Sequence, residues 1–147
     1  MEERATRMSI VIYSDDSSVR ASIRAALGNR LSADLAEHDI LEFATADALR
    51  VHIDRKVPFG KTKADLIILD AEAVPEGGMG VSRQLKDEVF QCPPVLLITG
   101  RPDDAWLAAW SRADLSVTHP IDPFTFATAA ANLLRSDSIK TAESASH

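Results

Sequence analysis

The chain has 147 residues, 46% of them hydrophobic and 26% charged, which is typical of one soluble globular domain that buries a core without cross-links. The single cysteine, Cys92, excludes an internal disulfide and a cysteine zinc site, and the charged amino terminus is neither a signal peptide nor a membrane span, so we expect a cytoplasmic protein without a membrane partner. A formal net charge of -6, with no lysine or arginine cluster, argues against direct binding to nucleic acid.

Five short apolar or β-branched segments have the length and the bounding turn residues of strands. In chain order the predicted strands are Ser9–Tyr13, His38–Ala44, Asp65–Asp70, Val95–Thr99 and Leu115–Thr118. The third and fourth are apolar almost throughout, as strands buried on both faces are. Each of these two ends in a side chain that can form hydrogen bonds, Asp70 or Thr99.

Apolar residues at helical spacing follow every predicted strand. The predicted helices cover about 17–27, 46–55, 81–89, 104–113 and 124–135. We expect Asp16 or Ser17 to cap the first helix and Gly28 to end it. The glycine-rich stretch Gly77–Gly80 is expected to form a loop before the third helix, and Asp103-Asp104 to begin the fourth.

Strands that alternate with helices favour a parallel sheet with helices on both faces, because each crossover needs about a dozen residues and is right-handed. We therefore predict an α/β fold, a flavodoxin-like doubly wound (βα)5 arrangement whose parallel five-stranded sheet has the order 2-1-3-4-5. One domain is expected over 8–135, followed by a disordered polar tail over 136–147. In this order Ser14–Asp16 lies beside Asp70, where the strand order reverses.

The acidic side chains at this sheet edge indicate metal and phosphate chemistry. Asp15, Asp16 and Asp70 would repel one another unless a divalent cation neutralised them, and oxygen ligands suit Mg2+. Glu72 is a fourth candidate ligand. A carboxylate beside such an ion can attack a phosphoryl group and form an acyl phosphate. The candidates for hydrogen bonds to the phosphoryl oxygens are Thr99 and His119.

Four blocks of the chain resemble the motifs of a response-regulator receiver domain, in the order and spacing of that family. The blocks are Ile10–Arg20, Asp65–Asp70, Pro94–Thr99 and Thr118–Pro123. The resemblance covers about 8–135 and implies a phosphoacceptor at Asp70, magnesium carboxylates at Asp15 and Asp16, and a switch hydroxyl at Thr99. The stretch Gly100–Trp106 resembles an actinobacterial single-domain subgroup of the family.

The resemblance implies a stand-alone, non-enzymatic response regulator of phosphorelay signalling. It would take its phosphoryl group from a histidine kinase or a small phosphodonor. With no output domain expected after residue 135, the signal would leave through contact of an output protein with the face formed by helix 4, strand 5 and helix 5. Trp106 and Trp110 share one side of the fourth predicted helix and are either core residues or a docking surface on that face.

The chain departs from the family pattern at several positions of the site. His119 stands where the family has a lysine, and counting back from Arg20 places the acidic pair on Ser14 and Asp15. Pro75 follows Asp70 by five residues, so the loop after the third strand is longer than usual. Ser116 occupies the place of a rotating tyrosine or phenylalanine. Each departure weakens phosphorylation or its readout.

These departures leave other functions open. A phosphorylation-independent pseudo-receiver would use the same fold as a protein-interaction module. In that case Asp70 and Asp15 are turn acids, Asp16 is a helix cap, Thr99 bonds to backbone and His119 is a surface histidine. A flavodoxin-like cofactor binder or a phosphatase is disfavoured, because the first turn lacks a phosphate cradle and no second aspartate follows Asp70 by two residues.

Overall fold

Five parallel strands form one sheet in the order β2-β1-β3-β4-β5, which confirms the predicted fold class. The computed structural model describes residues 7–54, 64–101 and 105–145, and their side chains except those of 105 and 137–145. The strands are β1 (Met8–Tyr13), β2 (His38–Phe43), β3 (Leu66–Asp70), β4 (Val95–Thr99) and β5 (Leu115–Thr118). The helices are α1 (Ser17–Leu27), α2 (Ala46–Asp54), α3 (Gly78–Glu88), α4 (Ala105–Trp110) and α5 (Pro123–Ala145).

The sheet is covered on both faces, and its side chains alternate between two apolar cores. Ile10 and Ile12 of β1 pack with α1 and α5, whereas Val11 and Tyr13 pack with α2, α3 and α4. Every residue of β3 and β4 is buried, as expected for central strands of a parallel sheet. This packing places the carboxyl ends of β1, β3 and β4 at one edge.

The third helix begins at Gly78, so the prediction that Gly77–Gly80 forms a loop was wrong for its last three residues. A Cβ on Gly77 would lie 2.7 Å from the carbonyl oxygen of Ala71, and one on Gly78 would lie 2.8 Å from that of Asp70. The glycines therefore allow the start of α3 to pack directly on the backbone at the end of β3.

Two other helices differ in length from the prediction. The fourth ends at Trp110 because Ser111 Oγ bonds back to Ala108 O and Arg112 adopts a left-handed φ of 64°; its predicted start at Asp103-Asp104 lies outside the described residues. The fifth continues to Ala145 instead of ending at Arg135, where we expected a disordered tail. No proline or glycine follows Pro123, so no residue of this stretch is a strong helix breaker.

In the described parts of the chain, no helix combines the length and the apolar character needed to cross a membrane.

Candidate functional site

Asp70 is the last residue of β3 and its side chain is only 3% exposed. Tyr13 pairs with Leu69, so the residue after β1 lies beside Asp70. That residue is Ser14, which is fully buried and whose Oγ donates to Asp70 Oδ2 at 2.7 Å. Arg20 of α1 donates to Ser14 O at 2.7 Å and so fixes the turn. The structure therefore places a hydroxyl, not a carboxylate, against this oxygen of Asp70.

The other oxygen, Asp70 Oδ1, has two nitrogen partners. The backbone N–H of Glu72 donates to it at 2.9 Å, and His119 Nε2 lies 3.0 Å away. Because a carboxylate only accepts, Nε2 carries the hydrogen in this pair. His119 follows β5, precedes the cis proline Pro120 and is held by a 2.8 Å bond from its N–H to Thr99 O. Donors from three segments thus converge on one carboxylate.

The remaining predicted metal ligands have other partners. Asp15 Oδ1 accepts from the backbone N–H of Val74 at 3.0 Å. Asp16 caps α1 and accepts from Ser18, whose hydrogen bonds lower the pKa of the Asp16 carboxyl. The Glu72 carboxyl lies against Gly100, where a Cβ would be within 2.7 Å of it. Over the described ranges, no group of three or more histidine, cysteine or acidic side chains is assembled to hold a metal.

Thr99 lies at the carboxyl end of β4, beside the end of β3. Its side chain is buried, and Oγ1 lies 3.3 Å from Val117 O and 3.4 Å from Arg101 O, two alternative acceptors for one hydrogen. In this arrangement the hydroxyl bonds to backbone. Ser116 is exposed on β5 and has no ring to rotate.

The loop between β3 and α3 is tied to β1 and α2. Tyr13 Oη donates to Glu76 O at 2.6 Å. The Glu76 carboxylate accepts from both Nη atoms of Arg50, at 2.9 and 2.6 Å, and this guanidinium lowers the pKa of the Glu76 carboxyl. With the Asp15–Val74 bond, three contacts hold the loop. Sequence reasoning missed them, because the partners are separated by dozens of residues and no local pattern marks them.

Large apolar side chains are exposed on α4, β5 and α5, a set that we call the aromatic face. Its members are Trp106 (70% exposed), Trp110 (49%), Leu115 (40%) and Phe124 (80%). The guanidinium carbon of Arg83 lies 5.4 Å from the centre of the Trp110 ring. Neither tryptophan is a core residue, so the core interpretation of their spacing was wrong, and the docking surface stays a prediction.

No protein-family model matches the chain. Proteins from two strains of Mycobacterium tuberculosis, each named an uncharacterized response regulatory protein, are 45% identical over 135 residues, covering 92% of this chain and 97% of theirs. A CheY-like response regulator receiver domain protein from Methanospirillum hungatei is 16% identical with a TM-score of 0.68, covering 91% of this chain and 98% of that one. A receiver domain protein from Clostridium thermocellum is 20% identical with a TM-score of 0.69, covering 90% and 98%.

Proposed function

Since the chain belongs to the response-regulator family of two-component signal transduction and has the receiver fold, we propose that it accepts a phosphoryl group on Asp70 and signals through protein contact. Receiver-domain response regulators are in general signalling proteins rather than enzymes. The observation that carries the proposal is the buried Asp70 carboxylate, held at the end of a central strand by directed donors.

The two oxygens of Asp70 differ in a way that selects the nucleophile. Oδ1 accepts from the backbone N–H of Glu72, which cannot rotate away, and lies 3.0 Å from His119 Nε2. Oδ2 has the Ser14 hydroxyl, whose hydrogen can turn away by rotation about one bond. Oδ2 is therefore the oxygen that attacks. Its bond to phosphorus forms as the donor's bond to phosphorus breaks, and the leaving group keeps that electron pair. A nitrogen leaving group then takes a proton from water, whereas a carboxylate leaves as the anion.

The phosphodonor is a phosphohistidine of a histidine kinase or a small phosphorylated molecule. In either case the reaction requires positioning and charge compensation rather than covalent chemistry by other residues. His119 supports it by keeping its N–H on Oδ1 while Oδ2 reacts. Thr99, which has two backbone acceptors at the end of β4, would exchange one of them for a phosphoryl oxygen.

Receiver domains generally bind Mg2+ at the phosphorylation site. The donors of this chain do not fit that ion as they are arranged: Ser14 supplies a neutral hydroxyl, Asp16 caps a helix, and Asp15 bonds the Val74 N–H. The proposed steps therefore rely on protein groups.

The aromatic face is the proposed contact surface for the output protein. Exposed tryptophan is the residue type that most often contributes binding energy at protein interfaces. Trp106, on the helix that follows β4, is joined to Thr99 by only six intervening residues, so a change at the site has a short path to this face. The partner contact is expected to respond to the state of Asp70.

Phosphoryl uptake tests the proposal. The purified chain is incubated with phosphoramidate or acetyl phosphate in buffer containing MgCl2, and the intact mass is followed. We expect one phosphoryl group on the protein, none on Asp70→Asn, and normal uptake by Asp16→Asn, since asparagine also caps helices. Beryllofluoride, an acyl-phosphate mimic, should shift the amide resonances of Asp70 and Thr99, and the shifts should extend to Trp106.

A phosphorylation-independent pseudo-receiver is the second candidate. It is favoured by the surroundings of Asp70, because both carboxylate oxygens already have protein donors and the side chain is only 3% exposed. If neither donor modifies the chain and beryllofluoride leaves the spectrum unchanged, phosphoryl transfer from small donors to Asp70 is ruled out, and the result favours a chain that acts through binding of its unmodified form.

A further inference from the structure

We infer that the Asp70 site of this chain compensates its carboxylate with protein hydrogen-bond donors and binds divalent cations only weakly. The inference concerns the unmodified protein. It does not depend on the proposed phosphorylation, and the two can fail separately.

Ser14 provides the first argument. It occupies the position beside Asp70 at which a carboxylate would add negative charge, and it adds none. The serine is fully buried and its hydroxyl hydrogen points at Asp70 Oδ2. The affinity of an oxygen site for a hard divalent cation increases with the number of charged ligands, so losing one carboxylate weakens it.

The other acids near Asp70 already have partners of their own. Asp15 Oδ1 holds the Val74 N–H, in a loop that Tyr13 and the Arg50–Glu76 ion pair also fix. Turning this carboxylate toward a cation beside Asp70 would break the bond to Val74. Magnesium requires near-ideal octahedral geometry, so a site that must first rearrange binds the ion more weakly.

The donors around Asp70 provide the third argument. Both oxygens already face hydrogens, from Ser14, from the Glu72 N–H and from His119 Nε2. A cation that coordinates either oxygen must displace a donor or lie next to its partial positive charge. The three donors thus stabilise the negative charge of Asp70, as a cation would, and they compete with a cation for its oxygens.

The test is calorimetric titration of MgCl2 into the unmodified chain, into Ser14→Asp and into Ser136→Asp. Ser136→Asp adds the same charge at an exposed position on α5 and is the matched control. We expect Ser14→Asp to bind Mg2+ about tenfold more tightly or better, because it restores one charged ligand, and the control to match the original chain. Equal affinity of the original chain and Ser14→Asp overturns the inference.

A buried second carboxylate beside Asp70 will destabilise Ser14→Asp, so its thermal unfolding is measured with and without MgCl2. We expect Mg2+ to raise the unfolding temperature of Ser14→Asp and to leave that of the original chain nearly unchanged. A variant that folds only with Mg2+ supports the inference equally. The inference is contradicted if Mg2+ does not change the unfolding temperature of Ser14→Asp. It is also contradicted if Mg2+ raises the unfolding temperature of the original chain as much as that of the variant.

Discussion

Arg50 and Glu76 form a two-bond ion pair that joins α2 to the loop after Asp70, with Nη1 2.9 Å from Oε1 and Nη2 2.6 Å from Oε2. The Arg50 side chain is 23% exposed and that of Glu76 46%. The same loop carries Val74, the partner of Asp15. The ion pair therefore restricts the loop beside the candidate phosphoacceptor more than it stabilises the core.

We expect Glu76→Gln to lower the free energy of unfolding by no more than about 1 kcal/mol, since half-exposed pairs contribute little. The amide hydrogen of Val74 should exchange with solvent faster, because the loop loses one of its three ties. Asp47→Asn is the control: Asp47 also accepts from Arg50, as Gln84 does, but the Asp47 side chain is 91% exposed, and the loss of its charge should leave exchange at Val74 unchanged. Equal exchange in all three proteins would show that the ion pair does not order the loop.

Two glycines at the start of α3 should respond in opposite ways to alanine. Gly78→Ala places a Cβ 2.8 Å from Asp70 O and should cost about 1–3 kcal/mol of stability, as overpacking does. Gly80 has open space around the same position, so Gly80→Ala should gain up to about 1 kcal/mol from helix propensity. Urea denaturation measures both. A Gly78→Ala variant as stable as Gly80→Ala would refute the close approach of α3 to β3.

His38 should make folding stability depend on pH. Burial lowers its pKa below the ordinary 6.5, and Nε2 lies 2.6 Å from Gly28 O. Below pH 6.5 the unfolded chain binds this proton before the folded chain does, so stability falls as the pH decreases toward the folded-state pKa. In urea denaturation between about pH 5 and pH 8, His38→Gln should lack this part of the decline. Parallel curves for the two proteins would contradict the assignment.

The two exposed tryptophans should differ in what they contribute to folding. Trp110 has the Arg83 guanidinium over its ring, and Trp110→Ala should lose about 0.5–1 kcal/mol from that contact in addition to its buried area. Trp106 is 70% exposed, and Trp106→Ala should change stability by less than about 0.5 kcal/mol. Denaturation of both variants checks this. A larger loss for Trp106→Ala would mean that it is a structural residue and not part of a docking surface.

The sheet was predictable because its central strands carry a strong local signal. Leu66–Asp70 and Val95–Thr99 are apolar almost throughout and end in polar residues, and the intervening segments have helical spacing. The ends of helices were less predictable. Gly78 lies in a helix because its missing side chain fits against Asp70 O, which is a tertiary reason that composition does not reveal.

The candidate site was predictable in its location but not in its bonding. Strand order alone places the residues after β1, Ser14 and Asp15, beside Asp70, and the count back from Arg20 already indicated a hydroxyl in place of a carboxylate. His119 follows β5, which β4 separates from β3, and its side chain reaches across to Asp70. Which partner each carboxylate oxygen takes depends on groups that are distant in the chain. For example, Asp15 Oδ1 accepts from the Val74 N–H, and nothing in the sequence pattern marks this bond. The phosphoacceptor and metal roles of these residues stay predictions.

The backbone N–H of His119 donates to Thr99 O, so the main chain at the end of β4 is bonded to the residue whose imidazole lies beside Asp70. Thr99 pairs with Thr118 in the β4–β5 ladder. The residue after Thr118 is His119, whose Nε2 lies 3.0 Å from Asp70 Oδ1. A displacement of the Thr99 backbone would break its hydrogen bond with the His119 N–H unless the His119 backbone moved with it. A change at the end of β4 is therefore expected to alter the distance between the imidazole and the carboxylate, and with it the electrostatic environment of Asp70.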